Sequence, residues 1–131
     1  MSMFRAIDTS GSGLSVQRAR LDVIAENIAN AETTRTAQGG PYRRLRVVVA
    51  PAAGDAGGVE VAGLAADEGP FQQIYDPSHP DADEQGYVLM PNVDIATEMV
   101  EMVAASRAYE ANAKALRVAR EMAQDAINIL T

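Results

Sequence analysis

At 131 residues the chain is sized for one domain with one modest core, which excludes a two-domain enzyme. Aromatics make up only 5 % and Trp is absent, while alanine supplies much of the 47 % hydrophobic share, so the core is expected to be thin and close-packed. A formal charge of -7 sets binding to nucleic acid or to an anionic membrane surface aside, and the absence of cysteine excludes disulfides and thiolate metal sites.

The opening residues, Met1-Ser2-Met3-Phe4-Arg5-Ala6-Ile7-Asp8, contain no basic stretch followed by an apolar run, so no cleavable secretion signal is expected. No apolar run approaches the roughly 20 residues that span a bilayer. Met3 to Asn30 lacks proline and is predicted to be helical. Ile7, Leu14, Leu21 and Ile28 recur at heptad spacing, with Phe4, Gly11, Arg18 and Ala25 on the same face. Arg20, Asp22 and Glu26 fall away from that stripe. Gly11 and Gly13 each cost about 1 kcal/mol relative to alanine inside a helix. The helix is therefore expected to weaken around Ser10 to Gly13, with a start only there as one outcome.

Ala37 to Pro91 holds all 6 prolines among many glycines and reads as an irregular, β-rich insert. Leu45, Val47 and Val49 alternate with Arg44, Arg46 and Val48. After Gly57-Gly58, Val59 and Val61 alternate with Glu60 and Ala62, which together predicts a hairpin. Phe71 to Tyr75 and Tyr87 to Leu89 are expected to add two strands, separated by the loop Asp76 to Gly86. In the segment from Glu32 to Pro91 the arginines, Arg35, Arg43, Arg44 and Arg46, all precede Val47, and the acids except Glu32 all follow it. One reading is an electrostatic contact between copies of the insert, and the other is a solvated face.

Pro91 ends the extended segment, and Asn92 or Asp94 is expected to cap a long last helix with Glu98 near its positive end. Ile95, Met102, Tyr109, Leu116, Ala123 and Leu130 form a heptad series flanked by Met99, Ala113 and Ile127 and interrupted by Ser106 and Arg120. A second stripe passes through Val100, Ala104, Ala108, Ala111, Ala115, Val118, Met122, Ala126 and Ile129. At about 100° per residue the step from Ile95 to Val100 is about 140°, so the two stripes face different neighbours. A helix of this length, about 55 Å at ~1.5 Å per residue, cannot be covered by the shorter first helix. Uncovered apolar surface of that extent marks an interface with other chains.

Candidates for chemistry are weak. Asp81-Ala82-Asp83-Glu84-Gln85-Gly86 starts like a calcium loop, but Gln85 stands at its fifth position and Asn92 at the closing twelfth. His79, the only histidine, sits between Ser78 and Pro80 and reads as a turn residue. Gly11-Ser12-Gly13 and Gly39-Gly40 lack the spacing of a phosphate loop. Glu98 and Glu101 share a helix face, where the helix dipole and solvation explain them. Asn27 and Asn112 sit near the helix seams, positions at which a polar residue fixes register; simple exposure is the other reading. Arg107 and Arg120 either reach a carboxylate on an adjoining subunit or extend their stems over apolar surface into water. Neither a catalytic centre nor a metal or cofactor site is expected.

Asn27-Ile28-Ala29-Asn30-Ala31-Glu32-Thr33-Thr34 resembles the N-terminal signature of the flagellar rod and hook proteins, and Ser106-Arg107-Ala108-Tyr109-Glu110-Ala111-Asn112 is similar to its C-terminal partner. Gly40-Pro41-Tyr42-Arg43-Arg44, Tyr75-Asp76-Pro77 and the run from Gly86 through Tyr87, Pro91 and Asn92 to Asp94, followed by Glu98-Met99, look like a member from the proximal rod. The stretch from Pro51 to Ala66 carries none of the likeness.

The resemblance implies a mainly α fold with a β-rich insert: residues 1–36 and 92–131 as an antiparallel, coiled-coil-like helix pair, bracketing an outward-facing 37–91 hairpin domain. It also implies a structural subunit exported unfolded, without signal cleavage, by the flagellar type III apparatus. Its place would be a hollow helical shaft in the periplasm, with further copies and other rod proteins as neighbours. The terminal helices are then expected to be poorly ordered in the free chain, since isolated helices need packing to hold them. The alternative is a self-contained binding module whose acidic loop, Asp76 to Gly86, captures a cation or a basic partner.

Overall fold

Because no proline interrupts Met3 to Asn30, one helix runs the whole way in the computed structural model, which describes residues 2–131. This helix, α1, spans Met3–Ala29. The Ser2 side chain caps it by accepting from the Arg5 N–H at 3.2 Å, and at the other end the Asn30 N–H reaches Glu26 O at 3.0 Å. The expected weak point at Ser10 to Gly13 is absent, for a packing reason. Gly13 lies against Asn112 of the last helix, where an added Cβ would come within 2.8 Å of Asn112 Oδ1. The close approach of the Asn112 side-chain amide to the Gly13 backbone offsets the glycine's helix cost.

Next comes a hairpin of β1, Leu45–Pro51, and β2, Val59–Ala66, paired antiparallel from Leu45 opposite Ala66 to Pro51 opposite Val59, with a bulge between Val48 and Val49. Gly57 and Gly58 turn it with φ values of 75° and 96°, open to glycine at little cost. The hairpin lies along α1: Val59 N–H donates to Ser12 Oγ at 3.1 Å, and Arg5 Nε to Ala56 O at 3.5 Å. A second, separate sheet pairs β3, Gln72–Tyr75, with β4, Tyr87–Met90, antiparallel. Tyr75 and Tyr87 close its end edge to face, with ring centroids 5.3 Å apart.

The last helix, α2, spans Ile95–Leu130, 36 residues against the 27 of α1. Asp94 is its cap, accepting from the Ala96 N–H at 3.2 Å and the Thr97 hydroxyl at 2.7 Å; Asn92 is engaged elsewhere. Asn27 meets Glu98 and Gly13 meets Asn112, so the two helices run in opposite directions. The same register sets Met3 level with Met122, and roughly the last two turns of α2 project past α1.

The core is thin. Its buried apolar residues are Val16, Val23 and Ile24 of α1, Ala105 and Ala119 of α2, and Val88 and Val93 between. α1 is covered from two sides, by the hairpin along the face of Ser12 and by α2 along the face of Gly13. That moves its buried centre away from the expected stripe: Ile7, Leu14, Leu21 and Ile28 are half-buried, at the edge of the covered arc. On α2 the inward positions are Glu98, Met102, Ala105, Asn112, Leu116, Ala119 and Ala123, spaced by combinations of three and four residues.

Candidate functional site

Two places carry many of the residues that the sequence singles out, and their characters are opposite; Ile7, Leu14, Leu21, Ile28, Met102 and Leu116 lie in neither, half-buried along the helix pair. The first is a buried polar network where the end of α1, the start of β1 and the start of α2 meet. Asn27, 1 % exposed, uses its whole side chain there. Its Nδ2 donates to Leu45 O at 2.8 Å and Glu98 Oε2 at 3.3 Å, while its Oδ1 accepts from the Tyr42 hydroxyl at 2.8 Å and Leu45 N–H at 3.0 Å. A helix side chain thus pairs with the first strand residue as a neighbouring strand would.

Glu98 is completely buried, which corrects its expected place in the solvated first turn. A buried carboxylate needs a paired charge and full hydrogen bonding, and Arg44 Nε supplies the charge. The Arg44 guanidinium also reaches Glu101 at 3.2 Å and Asp67 at 3.5 Å. Its hydrogen bond to Glu98 holds the guanidinium above its ordinary range against the opposing effect of burial. The Tyr42 phenol is pushed up to about 12, first by burial and then by the negative charges of Glu26 and Glu98.

The network extends outward on both sides. Tyr42 N–H donates to Thr33 O at 2.9 Å, the Thr33 hydroxyl to Asn30 Oδ1 at 3.1 Å, and Asn30 Nδ2 to Glu26 O at 2.9 Å. Arg44 N–H donates to Asn92 Oδ1 at 2.8 Å, and Asn92 Nδ2 to Asp67 O at 3.0 Å and Gly69 O at 3.3 Å. Arg43 adds bonds to the same two carbonyls and stacks 4.3 Å above the Phe71 ring. Pro91 is fully buried beside Asn92, and Tyr87 stays on the outer sheet.

The second place is the outward side of α2. Val100, Val103, Val118 and Met122 are exposed there, as are Ile95, Met99, Tyr109 and Ile127. The exposure peaks at the projecting end, with Ile129 at 84 % and Leu130 at 86 %. Arg107 is exposed, while Asn112 is half-buried against Gly13 and donates to Ala108 O at 3.0 Å. Among the described residues, no helix is long and apolar enough to cross a membrane.

The charge asymmetry of residues 32–91 is met in part within one chain. Arg35 pairs with Asp81 and Arg44 with Asp67, so two of the four arginines already have their acids. The Thr34 hydroxyl, 2.7 Å away, and Arg35 hold the Asp81 carboxyl below the usual carboxylate range. That engages the leading acid of the calcium-like stretch, and the described residues contain no group of three His, Asp or Glu able to hold a metal. His79 Nδ1 accepts from the Asp81 N–H at 3.0 Å, a turn contact. The sequence reading missed Arg44 as the centre of the network. Its signal was the pair Glu98 and Glu101 on one helix face, which needs a cation from elsewhere in the chain.

Helical ends holding an insert between them define the class once they are matched to known proteins. Residues 7–35 match the family model for flagella basal body rod protein, and residues 84–129 match that for the flagellar basal body rod FlgEFG protein C-terminal region. The chain is a flagellar rod protein by both ends. Flagellar basal-body rod protein FlgC of Borreliella burgdorferi is 42 % identical, covering 99 % of either chain. The proteins of that name from Salmonella typhimurium and Bacillus subtilis are 43 % and 38 % identical, covering 93 % of both chains in the first case and 98 % and 99 % in the second. The chain belongs to the FlgC family of flagellar basal-body rod proteins.

Proposed function

We propose that this structural rod subunit polymerises through its terminal helices into a hollow helical drive shaft in the proximal rod, with further copies of itself and other rod proteins as neighbours. The bare apolar edge of α2 carries the reading: Val100, Val118 and Ile129 are 69 %, 50 % and 84 % exposed, and exposed apolar surface on this scale is stabilised by neighbouring molecules. In the shaft the seam residues Ile7, Leu14, Leu21, Ile28, Met102 and Leu116 hold α1 and α2 as a coiled-coil-like pair. Ile95, Met99, Tyr109, Ile127 and Leu130 meet neighbouring subunits.

Residues 37–91 form a unit facing outward, between helical segments 1–36 and 92–131. The chain reaches the periplasm unfolded through the flagellar type III export apparatus, without a cleaved signal. The role is mechanical and involves no catalysis. Before docking, the parts of the helices that bury their stripes against neighbours are poorly ordered, and the ordering entropy lost on docking restrains premature polymerisation.

Circular dichroism and hydrodynamic size of the purified chain test this. The expected result is a partly disordered monomer that gains helix with its rod partners; a compact, protease-resistant monomer of full helix content would contradict it. Replacing Leu116 or Ile127 with Glu is expected to abolish swimming while synthesis continues, and normal swimming in both variants would remove the seams from the mechanism.

A further inference from the structure

Between α1, β1 and α2 lies a half-open cleft of about 390 Å³. Val23, Ile24, Ala105 and Ala108 give it an apolar lining, and Arg20 and Arg46 stand at its rim. Neither arginine has an ion partner among the described residues, whereas Arg44 beside them already holds three acids. Gln17 forms part of the wall, and its buried Oε1 accepts no hydrogen bond. Apolar lining, two unpaired cations and an unsatisfied acceptor together suit an amphipathic segment that is acidic and carries N–H donors.

The chain itself carries such a segment. Beyond Met122, α2 projects past α1 with Ile127, Ile129 and Leu130 exposed. Asp125 within it and Glu121 just before it have no ion partner among the described residues; the Gln124 amide donates to Asn128 Oδ1 at 3.2 Å, and the Asn128 amide supplies further N–H donors. The projecting end cannot fill the cleft of its own molecule, because Ala105 and Ile127 lie on one helix about 33 Å apart at ~1.5 Å per residue. Cleft and projecting end are different surfaces, so a contact between them is heterologous and propagates into an open filament where its rotation does not close a ring.

We propose that the projecting end of α2, residues 122–130, seats in the α1–β1–α2 cleft of a second copy, with Asp125 facing Arg20 and Arg46. This rests on the rod reading above and adds which two surfaces meet. The chain has no cysteine, so single replacements report cleanly. Full-length chains carrying Ala104→Cys at the cleft or Ile129→Cys at the projecting end are co-expressed, and their basal bodies are isolated and oxidised. The expected result is a disulfide-linked dimer in the mixed population that either variant alone lacks, lost when Asp125→Lys is added to the Ile129→Cys chain.

A dimer from Ile129→Cys alone, or no mixed dimer in basal bodies that assemble and rotate normally, would overturn the head-to-tail contact and leave the rod reading standing. Failure of the unmodified chain to enter basal bodies would overturn both.

Discussion

The two ends of the helical pair are built on opposite principles. At one end Asn27, Tyr42, Arg44 and Glu98 are gathered from α1, the insert and α2 into a buried network in which polar groups are matched within one molecule. At the other, α2 runs on past α1 and leaves Ile129 and Leu130 almost wholly in water. Apolar burial is non-directional and any apolar partner satisfies it, whereas a buried carboxylate accepts only a precisely placed cation. A rod subunit that assembles with other rod proteins gains by placing the specific contacts inside and the apolar ones outside. The network also draws on both halves of the chain, so it closes only when α1, the insert and α2 are all present.

The contrast is sharpest on removal of one member of the buried ion pair. Arg44→Met should leave Glu98 charged and unpaired, costing about 3–5 kcal/mol at the locked end. Amide exchange across Glu98 to Ala105 checks it, and the double variant with Glu98→Met should recover part of the loss. A smaller effect is expected at Gly13. The Cβ of Gly13→Ala meets Asn112, so overpacking of about 1–3 kcal/mol should outweigh the ~1 kcal/mol gain in helix propensity. Adding Asn112→Ala should remove the clash and reverse the sign, as read from the same exchange rates.

Alkaline titration probes the network without mutation. Tyr42 binds its proton more tightly folded, at about 12, than the ~10 of a free phenol. The neutral phenol is thus favoured by the fold, so its contribution is intact below pH ~10 and is lost as pH rises from there through about 12. Ultraviolet titration should show one tyrosine ionising late, together with release of the network. The smallest effect on the fold belongs to Ile127→Glu, which should change exchange at Glu98 to Ala105 by no more than about 0.5 kcal/mol while assembly fails. A large change there would tie the two ends together.

Legibility in the sequence follows the same division. Proline placement and period marked α1, α2 and all four strands, because those signals are local. Asn27 stood out at a seam, yet its three partners, Tyr42, Leu45 and Glu98, lie 15 to 71 residues away in the chain and no local pattern announces them. Glu98 looked like a solvated first-turn acid because only the fold brings Arg44 across to it. The stripe of Ile7, Leu14, Leu21 and Ile28 proved to be an edge because α1 is covered from two directions, and a single-stripe reading assumes one. Gly13 looked like a helix defect until its neighbour Asn112 was in place. The outer stripe of α2 was legible for the converse reason, since it depends on the helix alone.

Hydrogen exchange over Val118 to Leu130, compared between the isolated chain and assembled rods, tests most directly whether neighbouring molecules cover the bare end. The expected result is rapid exchange in the free chain and strong protection in the rod, with Glu98 to Ala105 far less affected by assembly. Equal protection of Val118 to Leu130 in both states, or rapid exchange persisting in the rod, would contradict it.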